Sequence, residues 1–392
     1  MFKKSNLWII AIIAVVNALG YGIIIPILYS YSHKFGLTDW QNGMLFSVFS
    51  VCQFISTPII GRMSDKLGRK PLLVISLIGT CLSFVMMALA KNAVWLFLAR
   101  ALDGLTAGNI TVAQAVISDT TAPADRAKGF GIIGASFGFG FVFGPAISAV
   151  TVNFGMATPF WVAALVTMIA VVVTAIFLPE TNMHRKEVEK KPFFDLRHLW
   201  RAFLDKNTGE MLLVSLLCSF AFALYIYAYQ PFSVQKLGLS VSQIASMFTL
   251  SGVIGLLSQG LLLPRAVKKW NEKQMLTTSM VFVIGALVTM FFVKSVWPWI
   301  LAVVVMSLAN VFVGPMIQAI ISKEADALSQ GSMLGINASY ISLGMIFGPV
   351  VGGFVATWSL PAPFLLAGIV MAWGLVVATQ ILKTPLRKQH AF

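Results

Sequence analysis

Charge is what this sequence has least of. Only 11% of its 392 residues are Asp, Glu, Lys or Arg, and only 14 are acidic. A soluble domain carries roughly 25% charged residues. Most of the chain therefore cannot face water, and a mean hydropathy of +0.86 places it among membrane proteins. Cysteine is scarce too. Cys52, Cys81 and Cys218 each sit inside an apolar run, with no CxxC pair, so no disulfide framework is expected. The histidines, His33, His184, His198 and His390, lie in loops, helix ends or tails, and no pair has metal-ligand spacing. A GxxxxGK[ST] nucleotide loop is missing, and so is any nucleophile–base pair within the apolar runs. The expectation is a protein that is not an enzyme and holds no metal or cofactor. Long polar segments are lacking as well. The single one, near residues 180–210, is too short for a soluble domain.

What is present is a series of apolar segments of about 20 residues, each long enough to cross a bilayer. They fall near 7–31, 41–62, 71–90, 94–118, 128–150, 157–178, 211–233, 242–264, 274–294, 296–321, 332–357 and 363–382. The expected fold is an all-α membrane protein of twelve transmembrane helices. Lys3 and Lys4 precede the first run as in a signal peptide, but that run is too long and has no small-x-small cleavage site. It reads as an uncleaved first helix.

The net charge of +14 raises the question of nucleic acid. The distribution of Lys and Arg answers it. Lys34, Lys91, Lys236 and Lys294 fall on one side of the predicted membrane, Arg100 lies inside a run, and the other twenty-three of the 28 lie on the opposite side. Basic loops stay in the cytoplasm. Both termini are thus expected to be cytoplasmic, in an inner (cytoplasmic) membrane, with no nucleic-acid partner.

The chain also repeats itself. Gly36-Leu37-Thr38-Asp39-Trp40-Gln41 returns as Gly238-Leu239-Ser240-Val241-Ser242-Gln243. Ala113-Gln114-Ala115-Val116-Ile117-Ser118 returns as Ile317-Gln318-Ala319-Ile320-Ile321-Ser322, and Gly140-xxx-Gly144-Pro145 as Gly344-xxx-Gly348-Pro349. Nearly constant offsets mark a duplication. Two pseudo-symmetric six-helix bundles are expected, 1–179 and 210–392, joined by a cytoplasmic linker at 180–209.

Three segments carry chemistry. After the second helix stands Gly61-Arg62-Met63-Ser64-Asp65-Lys66-Leu67-Gly68-Arg69-Lys70, where Gly61 and Gly68 suit a tight turn and Asp65 can pair with Arg69 or Lys66, or face a helix N-terminus. The fifth helix reads Gly131-x8-Gly140-xxx-Gly144-Pro145, and the eleventh repeats it from Gly335 through Gly344, Gly348 and Pro349. Small residues at this spacing let helices approach closely. The fourth carries Arg100-Ala101-Leu102-Asp103-Gly104. Arg100 and Asp103 share a helix face, with Asp103 about 14 Å deep at 1.5 Å per residue. A carboxylate there costs about 2.5–3.5 kcal/mol on insertion scales and calls for a partner. It is either a structural ion pair or a proton or substrate site.

These segments resemble the motifs of the major facilitator superfamily, and the chain is similar to its drug/proton antiporters, the tetracycline-resistance and multidrug efflux transporters. The pattern departs in places: Asn17 and Ser83 align where tetracycline antiporters commonly hold Asp, and Ser148-Ala149 replace a Gly pair. The resemblance implies a proton-coupled exporter of small lipophilic or amphipathic compounds, working by alternating access as a monomer and powered by the proton gradient. Asp103 and Arg100 are then expected to couple protons. Gly61, Asp65, Gly68, Arg69 and Asp119 would form a cytoplasmic gate. The substrate cavity would draw on Asn17, Tyr21, Asn109, Gln114, Tyr225, Tyr229, Gln230, Asn310, Gln318, Asn337 and Tyr340, uncharged polar and aromatic groups suited to a greasy ligand. A facilitator or symporter of a small polar solute, or a lipid-type transporter, would share the fold.

Overall fold

The computed structural model describes residues 4–121, 126–182, 200, 202–204, 209–324 and 330–381. All of its regular elements are helices. They are α1 Lys4–Ile24, α2 Leu28–His33, α3 Asp39–Leu67, α4 Arg69–Ala88, α5 Ala93–Thr106, α6 Asn109–Thr120, α7 Arg126–Thr151 and α8 Thr158–Phe177. After the linker come α9 Gly209–Gln235, α10 Val241–Leu257, α11 Glu272–Phe292, α12 Val296–Glu324, α13 Gln330–Ala356 and α14 Ala362–Ile381. A π turn, Ser258–Leu262, extends α10 into a last helical turn, Leu263–Ala266.

Among the described residues 10 helices are long and apolar enough to cross a membrane. The other two expected spans are interrupted. The segment 7–31 breaks at residues 25–27, where Pro26 has no N–H to continue the ladder, and resumes as α2. The segment 94–118 breaks at Ala107 and Gly108, between α5 and α6.

Two compact units emerge, Met1–Phe194 with Gly238–Val253, and Asp195–Leu237 with Ile254–Phe392. The first half of α10 thus groups with the first unit. There Ser242 donates to the Ala149 carbonyl at 2.7 Å, and Gly252 lies so close to Phe141 that a side chain would collide with its backbone. Of the expected linker 180–209, residues 180–182, 200, 202–204 and 209 are described.

The repeat seen in the sequence is a repeat of local structure. Gly36 and Gly238 both end a helix with positive φ, 75° and 65°, a conformation that costs glycine little. Buried Leu37 and Leu239 follow. Thr38 with Gln41, and Ser240 with Gln243, then close reciprocal capping boxes at the starts of α3 and α10. The glycine motifs repeat as well. A methyl on Gly144 would stand 2.7 Å from the Gly22 Cα, and one on Gly140 2.7 Å from the Leu19 nitrogen, so α7 lies against α1 backbone to backbone. A methyl on Gly344 would stand 2.6 Å from the Phe220 nitrogen, and one on Gly348 3.1 Å from the Phe220 carbonyl, which puts α13 on α9 in the same way. Gly131 and Gly335 have open space where a side chain would go.

The first unit has an aliphatic core, with Ile10, Ile13, Leu73, Leu77 and Val116 wholly buried. The second is centred on aromatics. Tyr229, Phe232, Trp299 and Phe364 are all fully buried, with ring centroids 4.9–5.5 Å apart.

Candidate functional site

α5 places the buried pair. Asn92 caps it by accepting from the Trp95 N–H. Leu96, Ala99, Arg100, Asp103 and Gly104 form its buried stripe, at the spacing of one helical face. Gly104 lets that face rest on α3: a methyl there would meet the Cys52 Cβ at 2.6 Å, and Ser56 donates to the Gly104 carbonyl at 2.9 Å.

Within this contact Arg100 Nη1 lies 3.1 Å from Asp103 Oδ2, and the two side chains are only 4% and 9% exposed. The guanidinium sits over the Phe49 ring, 4.3 Å from its centroid, close enough for a cation–π attraction. Tyr21 packs edge-on against the same ring at 5.4 Å. Of the two positions aligned with the family's Asp, Asn17 meets Asn109 of α6, while Ser83 Oγ donates to the Thr80 carbonyl of its own helix at 2.7 Å. Arg100 Nε is buried without a partner among the described residues. One turn beyond Asp103 the helix breaks, and Asn109, first residue of α6, accepts a short hydrogen bond from the Asn17 amide. The arrangement is a buried acid paired with one cation, the cation lying against the Phe49 ring, beside a discontinuity in the helix.

The second cluster surrounds the α3–α4 junction. Arg69 Nη1 reaches Asp65 at 2.6 Å and Ser64 Oγ at 2.6 Å, while its Nε reaches Asp119 at the end of α6 at 2.9 Å. The structure thus brings Asp65, Arg69 and Asp119 together, with Arg69 rather than Lys66 as the partner of Asp65. Gly68 forms the turn with φ 109°. Gly61 does not. α3 runs on through it to Leu67, and a methyl there would make only an ordinary contact, 3.6 Å from Thr111.

The family model described as Major Facilitator Superfamily matches residues 10–339, and matches again over 211–391. The chain belongs to the Major Facilitator Superfamily. It is 30% identical over 366 residues to Multidrug resistance protein 2 of Bacillus subtilis (strain 168), covering 91% of this chain and 90% of that one. It is 28% identical to the class B tetracycline resistance protein of Escherichia coli, with the same 91% and 90% coverage. Quinolone resistance protein NorA of Staphylococcus aureus is 26% identical over 95% of this chain and 94% of its own. The fold matches a bacterial homologue of the human lysosomal transporter Spinster, inward-facing and occupied, with a TM-score of 0.81 at 14% identity, covering 100% of this chain and 99% of that one. The chain is therefore a multi-pass membrane transporter.

The expected cavity residues are divided between the two units. Asn17 and Tyr21 are half-buried, and Asn17 is engaged with Asn109. Gln114 and Gln318 are exposed and Asn310 half-buried. In the second unit Tyr225, Tyr229, Gln230 and Asn337 are buried. Tyr225 and Tyr229 meet edge to face at 5.7 Å inside the aromatic core. Tyr340 stacks on Phe203 of the linker, centroids 5.9 Å apart.

Sequence reasoning missed two residues that engage the α3–α4 junction from the far end of the first unit's sequence. Glu180 follows α8. Its Oε1 accepts from the backbone N–H groups of Arg69, Thr181 and Asn182, each at 2.9 Å, and its Oε2 from that of Lys70 at 3.2 Å. Burial works against its charge, but the four N–H donors prevail and hold this carboxyl below its usual range. Asn182 does the complementary task, donating to the Asp65 carbonyl at 2.8 Å at the end of α3. An acid thus meets the start of one helix and an amide the end of another. The available signal was an acid and an amide directly after an apolar run.

Proposed function

We propose that this chain is a proton-coupled exporter of small lipophilic or amphipathic compounds. The observation that carries the reading is the Arg100–Asp103 pair: among the described residues Asp103 is the one buried carboxylate. The printed names of the multidrug, tetracycline and quinolone resistance relatives supply the substrate class. The lysine and arginine asymmetry supports an inner membrane with both termini in the cytoplasm.

In this reading the halves 1–179 and 210–392 work as a monomer and alternate access about a midplane site. Protonation of Asp103 removes the countercharge of Arg100 and loosens its hold on α5. Deprotonation restores the pair. Because the break at Ala107–Gly108 lies one turn away, a shift of α5 need not move α6. The Asp65–Arg69–Asp119 cluster serves as a cytoplasmic latch, ion-paired in one access state and parted in the other. The proton gradient is the energy source and no cofactor takes part.

Inside-out vesicles holding a pH gradient test this directly. Of a panel of lipophilic cations, tetracyclines, sugars and lysolipids, the lipophilic compounds should release protons from vesicles with the unaltered chain. Asp103→Asn should exchange substrate without moving protons. If Asp103→Asn still supports pH-driven export, Asp103 is not the carrier.

A further inference from the structure

A cavity of about 520 Å³ lies in the second unit, between the end of α10's last helical turn, α11 and α12. It extends along α11 from Gln274 to Phe282, about 12 Å at 1.5 Å per residue, and is walled opposite by Leu308 and Phe312 of α12. Trp270 stands at its mouth. This is not a sealed core void: Trp270 and Phe282 are each 57% exposed, and Gln274, Thr278 and Leu308 are exposed as well. A furrow with exposed aromatic and aliphatic walls along two apolar spanning helices meets hydrocarbon, not water.

Its mouth has a definite charge. Arg265, Lys268 and Lys269 are exposed and lie within five residues of Trp270, on the side of the membrane that carries the basic loops. The nearby acid, Glu272, is engaged with Lys323 at 2.5 Å. A π turn at Ser258–Leu262 precedes these cations. Pro264 has no N–H for the Gly260 carbonyl, so the helix widens there instead of continuing its regular ladder. An apolar furrow of ligand size, a tryptophan at interfacial depth and a basic rim together match one chemistry.

We propose that this furrow seats an acyl chain of an anionic phospholipid from the leaflet on the basic-loop side, with its phosphate among Arg265, Lys268 and Lys269. The site is distinct from the Arg100–Asp103 pair, which belongs to the other unit.

The test uses the full chain reconstituted into vesicles of phosphatidylcholine with a minor share of phosphatidylglycerol. The protein is extracted in mild detergent and its retained lipid read by mass spectrometry. The unaltered chain should retain phosphatidylglycerol enriched over the vesicle ratio. Replacing Arg265, Lys268 and Lys269 together by Gln should cut that enrichment by on the order of a hundredfold, from about 1 kcal/mol per cation at the surface, while phosphatidylcholine retention persists. Thr278→Trp, at an exposed wall position, should displace both lipids, and Thr278→Val should displace neither. Equal enrichment in the unaltered chain and the Gln variant would overturn the proposal, as would lipid retention indifferent to Thr278→Trp. Displacement of the lipid by a transported cation would overturn it in favour of a substrate groove. Drug export in the same vesicles is read alongside, so failure of the export reading leaves the lipid result intact.

Discussion

In the first unit α7 meets α1 at Gly140 and Gly144; in the second α13 meets α9 at Gly344 and Gly348. Both α3 and α10 begin after a positive-φ glycine and a capping box. The scaffolding has been kept in duplicate. The chemistry has not. At the same offset of 204, Arg100 and Asp103 correspond to Val304 and Ser307, and Ser307 donates only to its own helix, to the Val303 carbonyl. Where the first unit buries an ion pair beneath a phenylalanine, the second buries Tyr229, Phe232, Trp299 and Phe364. The glycine seams are therefore what the fold requires. The charge pair is not required by it, since the second copy packs without one, and a costly feature that the fold can do without points to function.

The largest expected effects test that contrast. Arg100→Met strands Asp103 as an unpaired buried charge and should destabilise the protein by about 3–5 kcal/mol in detergent unfolding. Arg100→Met with Asp103→Leu should recover most of that loss and abolish proton-coupled export. Coupled export by the double variant would erase the distinction between the units. Trp299→Ala should cost a similar amount, about 3–5 kcal/mol, by opening a cavity. Its surviving folded fraction should nevertheless keep the same protons per substrate, measured in vesicles. Gly144→Val should cost about 1–3 kcal/mol by forcing α7 off α1, and Gly348→Val should do the same in the second unit. Gly131→Ala, with open space around it, should be neutral or stabilising by up to about 1 kcal/mol. Parallel thermal melts decide whether the seams are equivalent.

The smallest effect sharpens the junction. Glu180→Gln should cost about 1 kcal/mol at neutral pH through weaker capping of α4. The folded carboxyl titrates below its usual range. Its contribution is thus complete above the unfolded pKa of about 4.3 and is lost as pH falls through the lower folded value. The gap between variant and parent should close in acid. A gap unchanged down to pH 3 would show that the ionised carboxylate is not the capping group.

Apolar run length and basic-loop asymmetry made the helical membrane fold legible, because a bilayer leaves few alternatives for twenty apolar residues. The repeat was legible because its residues are backbone specifications: glycine at positive φ, a cap, a close approach. Asp103 stood out because an acid in an apolar run is costly, whether it serves as a structural ion pair or as a proton or substrate site. Less could be read where the outcome depends on which face a side chain takes. Tyr225 and Tyr229 share a helix face whether that face is a cavity wall or a core, and no spacing separates the two. Gly61 belongs to the loop motif in sequence but to α3 in space, since the helix runs to Leu67. Glu180 acts across 111 residues on Arg69, a distance that local patterns do not span.

The glycine seams have a mechanical consequence. Side chains between two helices act as a compliant layer, because rotamers can shift and absorb a small rotation. Between Gly22 and Gly144 there is no such layer, and backbone touches backbone. A rotation of α7 at this seam therefore bears directly on the α1 backbone, and one of α13 on the backbone of α9 at Phe220. Each pair is thus coupled backbone to backbone at its glycines, while the helix break at Gly108 lies beside the buried acid.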